Sequence, residues 1–105
     1  MKTSKVLLKA MDVIATPDKW TKGAFARDTS GDAVGAFSSH AVCFCSLGAL
    51  KKTGGYGAGL ATHYLSQAVP FRNSVASFND AKKTTHADVM EKFMTAYFLA
   101  VADGE

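Results

Sequence analysis

The stretch "WTKGAFARDTSGDAVGAF" (residues 20–37) decides the fold class. Its first part, residues 20–27, has no apolar positions at helical spacing. It ends in "DTSGD" (28–32), where Asp and Ser side chains bond nearby backbone amides and Gly accepts left-handed backbone. "AVGAF" (33–37) then follows. The stretch reads as one short two-stranded β-hairpin, built from residues of weak strand preference. Its flanks read as helix, so the hairpin makes the chain α+β, mainly helical, with about five helices.

Upstream, "SKVLLKAMDVIA" (4–15) sets Val6, Leu7, Ala10, Met11 and Ile14 on one helical stripe, with Thr3 or Ser4 as N-cap. Thr16-Pro17 stops that helix, because the residue before proline avoids helical backbone. Downstream, Ser38 or Ser39 is expected to cap a helix over about 40–52, "HAVCFCSLGALKK". Lys51 and Lys52 then fall in its last turn, where cations suit the helix dipole. "TGGYGAG" (53–59) breaks the chain, and a third helix is expected over about 58–68, ended by Pro70. A short fourth helix is expected over "RNSVASF" (72–78). Thr85 followed by Asp88 resembles a capping box and opens the last helix. There Val89, Met90, Phe93, Met94, Tyr97, Phe98 and Val101 form an apolar surface too wide for an ordinary surface helix. Together with Tyr64 and Leu65 it exceeds what so short a chain easily covers, which predicts a homodimer.

The 105 residues are 48% hydrophobic and 20% charged, the composition of one globular domain spanning 1–105. Twelve Lys+Arg against nine Asp+Glu give a net charge of +3. The basic residues are scattered or paired (Lys51-Lys52, Lys82-Lys83), which reads as a solvated face rather than a nucleic-acid stripe. No apolar run approaches the ~20 residues that span a bilayer. The N-terminus resembles a signal peptide, but Lys9 and Asp12 interrupt its apolar region. A cytoplasmic location and reduced thiols are therefore expected. Cys43 and Cys45 cannot bridge each other readily, since side chains at that spacing point to different faces.

Chemistry-bearing patterns are sparse. The glycines of "TGGYGAGL" precede a helix, but no strand leads in and the G-x-G-x-x-G spacing is absent, so they read as a linker. His40, His63 and His86 are evenly spaced with unmatched flanks and do not mark a repeat. Cys43 and Cys45 lack the second ligand pair of a zinc site, so no metal or cofactor is expected. Cys45 near a helix start, with His40 or His86 as base, is the nucleophile of an enzymatic alternative. The competing reading makes "VCFCSLGAL" (42–50) a buried face, with Gly48 and Ala49 admitting a close neighbour.

The main candidate site is polar: Arg27 and Asp28 at the end of the first strand, and Asn79 and Asp80 at a helix end. Arg27 is expected near Asp80 or Asn79, either closing the fold or lining a pocket with its planar donors. Trp20 and Cys45 are further candidates.

Trp20, Gly23, Ala24, Ala26, Arg27, Asp28 and Gly31 form one motif, and Cys45, Gly48 and Ala49 a second. Phe78, Asn79 and Asp80, followed by Thr84 or Thr85, form a third. Together these resemble the DUF6197 family of small proteins from bacteria and their phages, over about Val6 to Leu99. Phe78 stands where many members carry Trp, and the Gly-rich middle is short. The resemblance implies the fold and motif positions and brings no activity with it. The role expected is a small non-catalytic binding or interaction protein. A phage or prophage accessory protein that inhibits a host factor or sequesters a small anionic ligand fits the size and mild positive charge. The alternative is a small enzyme using Cys45 or Asp80.

Overall fold

The computed structural model describes residues 1–55, 58–70 and 74–105. Helix α1 (Thr3–Val13) turns Val6, Leu7 and Ala10 inward, and Ile14 continues that face just past its end. Pro17 opens a short 3-10 turn, Pro17–Lys19, that delivers Trp20 to the sheet.

The expected hairpin is present as β1 (Ala26–Arg27) and β2 (Ala33–Val34), in the antiparallel register Ala26↔Val34 and Arg27↔Ala33. Gly31, with φ of 84°, supplies the left-handed residue of the connecting turn. A third strand, β3 (Cys43–Phe44), pairs with the other edge of β1, giving the order β2-β1-β3.

That strand corrects the expected helix over 40–52. Helix α2 runs only from Ser46 to Gly54, because Cys43 and Phe44 are held extended by β1. The Val42 N–H donates to Arg27 O at 2.9 Å and the Cys45 N–H to Phe25 O at 3.1 Å. Ser38 therefore caps a turn, accepting from the His40 N–H, and the N-cap of α2 is Cys45, whose Sγ accepts from the Gly48 N–H. The last turn of α2 carries Lys51 and Lys52 as expected, and Gly55 leaves it at a φ of 52°.

Helix α3 spans Ala58–Ala68, and α4 spans Val75–Asp80 with Ser74 as its cap. Tyr56 and Gly57 of the Gly-rich segment, and Arg72 and Asn73 of the fourth expected helix, lie outside the described residues. Helix α5 (His86–Ala102) starts with both halves of the capping box, Thr85 accepting from the Asp88 N–H and Asp88 from the Thr85 N–H.

The core lies where α5 packs on α1 and α3, with α2 closing the fourth side. Phe93, Leu7, Ile14, Leu50 and Leu65 are its largest fully enclosed apolar side chains. Burying a side chain of this size contributes about 1.5–3 kcal/mol. Tyr64 and Leu65 belong to this core rather than to an outer face. The Tyr64 hydroxyl donates to Asp103 Oδ2 at 2.7 Å, and that bond, with desolvation behind it, pushes the phenol up to about 12. Met94, Phe98, Leu99 and Val101 of α5 remain exposed, as does Leu8 of α1. No helix among the described residues is long and apolar enough to cross a membrane.

Candidate functional site

Asn79 joins the sheet region to the helices. It is 1% exposed, in the last turn of α4. Its Oδ1 accepts from Trp20 Nε1 at 2.8 Å, from the Ser46 N–H at 3.0 Å and from the Ser46 hydroxyl at 2.7 Å. Its Nδ2 donates to Thr21 O at 3.1 Å and to Asp80 Oδ1 at 2.9 Å. An amide has two donor hydrogens and one acceptor oxygen, so all its capacity serves the fold. Asp80 Oδ1 also accepts from the Gly23 N–H at 3.0 Å, and Lys22 Nζ donates to Ala81 O. The φ of 79° at Gly23 is a conformation that a side chain disfavours, and it orients that N–H toward Asp80.

Arg27, expected near Asp80 or Asn79, shares Thr21 with Asn79 but makes no direct hydrogen bond or ion pair to either residue. Arg27 Nε donates to Thr21 Oγ1 at 3.0 Å, Nη1 to Gly31 O at 3.1 Å and Nη2 to Lys22 O at 2.8 Å. Each of its three nitrogens donates to a local oxygen. Arg27 and Asn79 meet indirectly, because Thr21 offers its hydroxyl to Arg27 and its carbonyl to Asn79. Asp28 works within its own turn, Oδ1 accepting from the Ser30 and Asp32 N–H groups at 2.9 and 3.0 Å. Trp20, half-buried, bridges to Phe44 and has the His86 ring 6.1 Å away.

Beside this network lies a groove of about 580 Å³. Its walls are apolar, from Ala24 and Phe25, Ala33 and Val34 of β2, Leu47 of α2 and Ala76 of α4. Cys45, Asn79 and Asp80 contribute its polar side chains, and Arg27 does not line it. The cavity therefore gathers three of the residues singled out from sequence and leaves Arg27 and Asp28 outside. Sequence reasoning missed Thr21, Lys22 and Ser46 as partners. Ser46 stood inside the stretch "VCFCSLGAL" (42–50), but no spacing tells that its hydroxyl faces an asparagine far along the chain.

Cys45 is poorly suited to be a nucleophile. Burial pushes its thiol up, partly offset by the Gly48 and Leu47 N–H groups, while the nearby Asp80 charge pushes it up further. A raised thiol is mostly protonated at neutral pH, and the thiolate is the reactive form. His86 Nε2 is bonded to Ile14 O at 2.6 Å. Both cysteines are free, Cys45 buried and Cys43 half-buried. In native protein at pH 8, maleimide is expected to modify Cys43 first and Cys45 slowly, both reacting fully after unfolding. Rapid native labelling of Cys45 would show an activated thiol instead. No cluster of His, Cys, Asp and Glu among the described residues is arranged to hold a metal ion.

The model of a family of unknown function, DUF6197, matches residues 1–98. No curated protein and no solved structure matches the chain.

Proposed function

The chain belongs to the DUF6197 family, and from its groove we propose that it is a non-catalytic binding protein. The observation that carries this reading is the cavity of about 580 Å³, apolar on most sides and floored by an amide wholly committed to the fold. Small-molecule sites commonly enclose about 300–1,000 Å³ with a few fixed polar groups. A raised Cys45 thiol favours holding a ligand over converting it. The anionic-ligand reading loses its main support, because Arg27 directs its donors at backbone and hydroxyl oxygens. Such a protein acts by occupancy, the mode of a phage or prophage accessory protein that blocks a host factor or withholds a small molecule in the cytoplasm.

The test fills the groove from exposed Ala76. Nile red, a neutral apolar dye, is expected to brighten with the wild-type chain. Ala76→Trp should remove most of that signal at an unchanged melting temperature. Equal brightening of both proteins would place the dye elsewhere and overturn the groove as the site.

The outer face of α5 supports a second reading, self-association. Met94, Phe98 and Val101 recur on one stripe, and Phe98 is 61% exposed. Pairing of two copies about a two-fold axis buries this stripe of each against the same stripe of the other. Light scattering at micromolar concentration should give twice the 11.1 kDa chain mass, and Phe98→Glu should halve it. A wild-type mass of 11.1 kDa would remove the dimer.

A further inference from the structure

Resting on the groove as the binding site, we infer that its ligand is a small apolar amine whose ammonium end meets Asp80. The inference follows from which side-chain polar atoms of the lining remain available. Both donor hydrogens of Asn79 are bonded, to Thr21 O and Asp80 Oδ1, and its oxygen already accepts three donors. The Cys45 sulfur accepts from the Gly48 N–H at 3.3 Å. Asp80 Oδ1 takes the Gly23 N–H and Asn79 Nδ2. Asp80 Oδ2 has no hydrogen-bond partner among the described residues, and the one side-chain ion pair among them is Lys92–Glu91.

The groove thus offers one anchored carboxylate with a free oxygen, set among Phe25, Val34, Leu47 and alanines. Its Oδ1 is fixed by a backbone N–H and a buried amide, so the free oxygen is held in place before any ligand arrives. That arrangement complements a cation carried on an apolar body, since a charged donor strengthens a hydrogen bond to a carboxylate. An anionic group would face the Asp80 charge with no free nitrogen donor on the lining side chains. Lys51, whose ammonium lies 5.0 Å from the Phe25 ring centroid, does not line the cavity. The volume suits a ring and a short chain, with water filling the remainder.

The experiment titrates the full chain with 2-phenylethylamine, 2-phenylethanol and 3-phenylpropanoate, followed by amide NMR shifts. The amine is expected to move Gly23, Phe25, Val34 and Gly35 and to bind about threefold more tightly than the alcohol, the gain of pairing a cation with an exposed carboxylate. Asp80→Asn keeps an oxygen for the Gly23 and Asn79 donors and removes the charge. It should bring the amine down to the affinity of the alcohol at an unchanged melting temperature. Equal binding of amine and alcohol, or an amine affinity untouched by Asp80→Asn, overturns the cation assignment and leaves the groove standing. Tightest binding of the propanoate overturns it in favour of an anion. Saturation by a lysine-containing peptide where the amine does not saturate overturns the small-molecule assignment in favour of a protein side chain. If none of these moves the groove residues, the groove reading itself falls, and the amine with it.

Discussion

Replacing Gly48 by alanine is expected to destabilise the protein severely, against the usual trend for a helix interior. Alanine normally stabilises such a position by about 0.5–1 kcal/mol relative to glycine. Here an added Cβ would stand 1.9 Å from the Phe25 carbonyl oxygen and 2.8 Å from its carbon. These are backbone atoms, with no rotamer to swing aside. Either α2 retreats from the sheet or residues 23–25 shift outward. Both movements break the bond from the Cys45 N–H to Phe25 O, and both deform the groove wall that Phe25 provides. Overpacking of this kind costs about 3 kcal/mol at the upper end of its usual range, and a domain this size loses roughly 4–8 °C per kcal/mol. A fall in melting temperature of about 12–24 °C is therefore expected by circular dichroism. Gly59→Ala in α3, where nothing lies within 4 Å, serves as the control and should melt no lower than wild type. If Gly48→Ala also melts like wild type, α2 and the Phe25 carbonyl are not in contact in solution.

Gly48 also shows what the sequence makes legible. A Gly-Ala pair on an apolar helix face signals close approach, and the structure names the neighbour as the Phe25 backbone. The capping box at Thr85 was equally readable, because both partners lie within one turn. Strand β3 was not readable. It is two residues long, and what makes Cys43 and Phe44 extended is pairing with Arg27 and Ala26, which no local pattern records. The same non-local pairing moved the helix cap from Ser38 or Ser39 to Cys45, a residue that is rarely considered a cap. Arg27 was recognisable as a fork seeking oxygens, but its sequence neighbours do not tell carboxylate from carbonyl. The groove left no signature, since several of its walls are alanine and glycine, and a cavity is made by side chains that are missing.

Asn79 carries the other large expected effect. Asn79→Ala would leave the Trp20 indole, the Ser46 N–H and hydroxyl, the Thr21 carbonyl and one bond to Asp80 without their partner. Each buried polar group left unsatisfied costs about 1–3 kcal/mol. Water entering from the adjacent groove will offset part of that, so a net loss of about 4 kcal/mol is expected, near the lower bound of a whole domain's stability. The corresponding fall in melting temperature is roughly 16–32 °C. Asn79→Asp separates the acceptor role from the donor role. The aspartate keeps an oxygen for Trp20 and Ser46 but turns a second oxygen toward Thr21 O and Asp80 Oδ1, which the native Nδ2 meets at 3.1 and 2.9 Å. Two carboxylates so close favour protonation of one, raising its pKa in the folded state above its unfolded value. The folded state then binds the extra proton, so the deficit of Asn79→Asp should shrink as pH falls toward the ordinary carboxylate range and grow above it. Asn79→Ala, with nothing to titrate there, should show no such recovery relative to wild type. Trp20, the single tryptophan, reports directly on the lost indole bond, so its emission should shift to the red in folded Asn79→Ala. An Asn79→Ala protein that melts within a few degrees of wild type, with unshifted Trp20 emission, would mean that α4 is held to the sheet by apolar packing and that the amide is incidental.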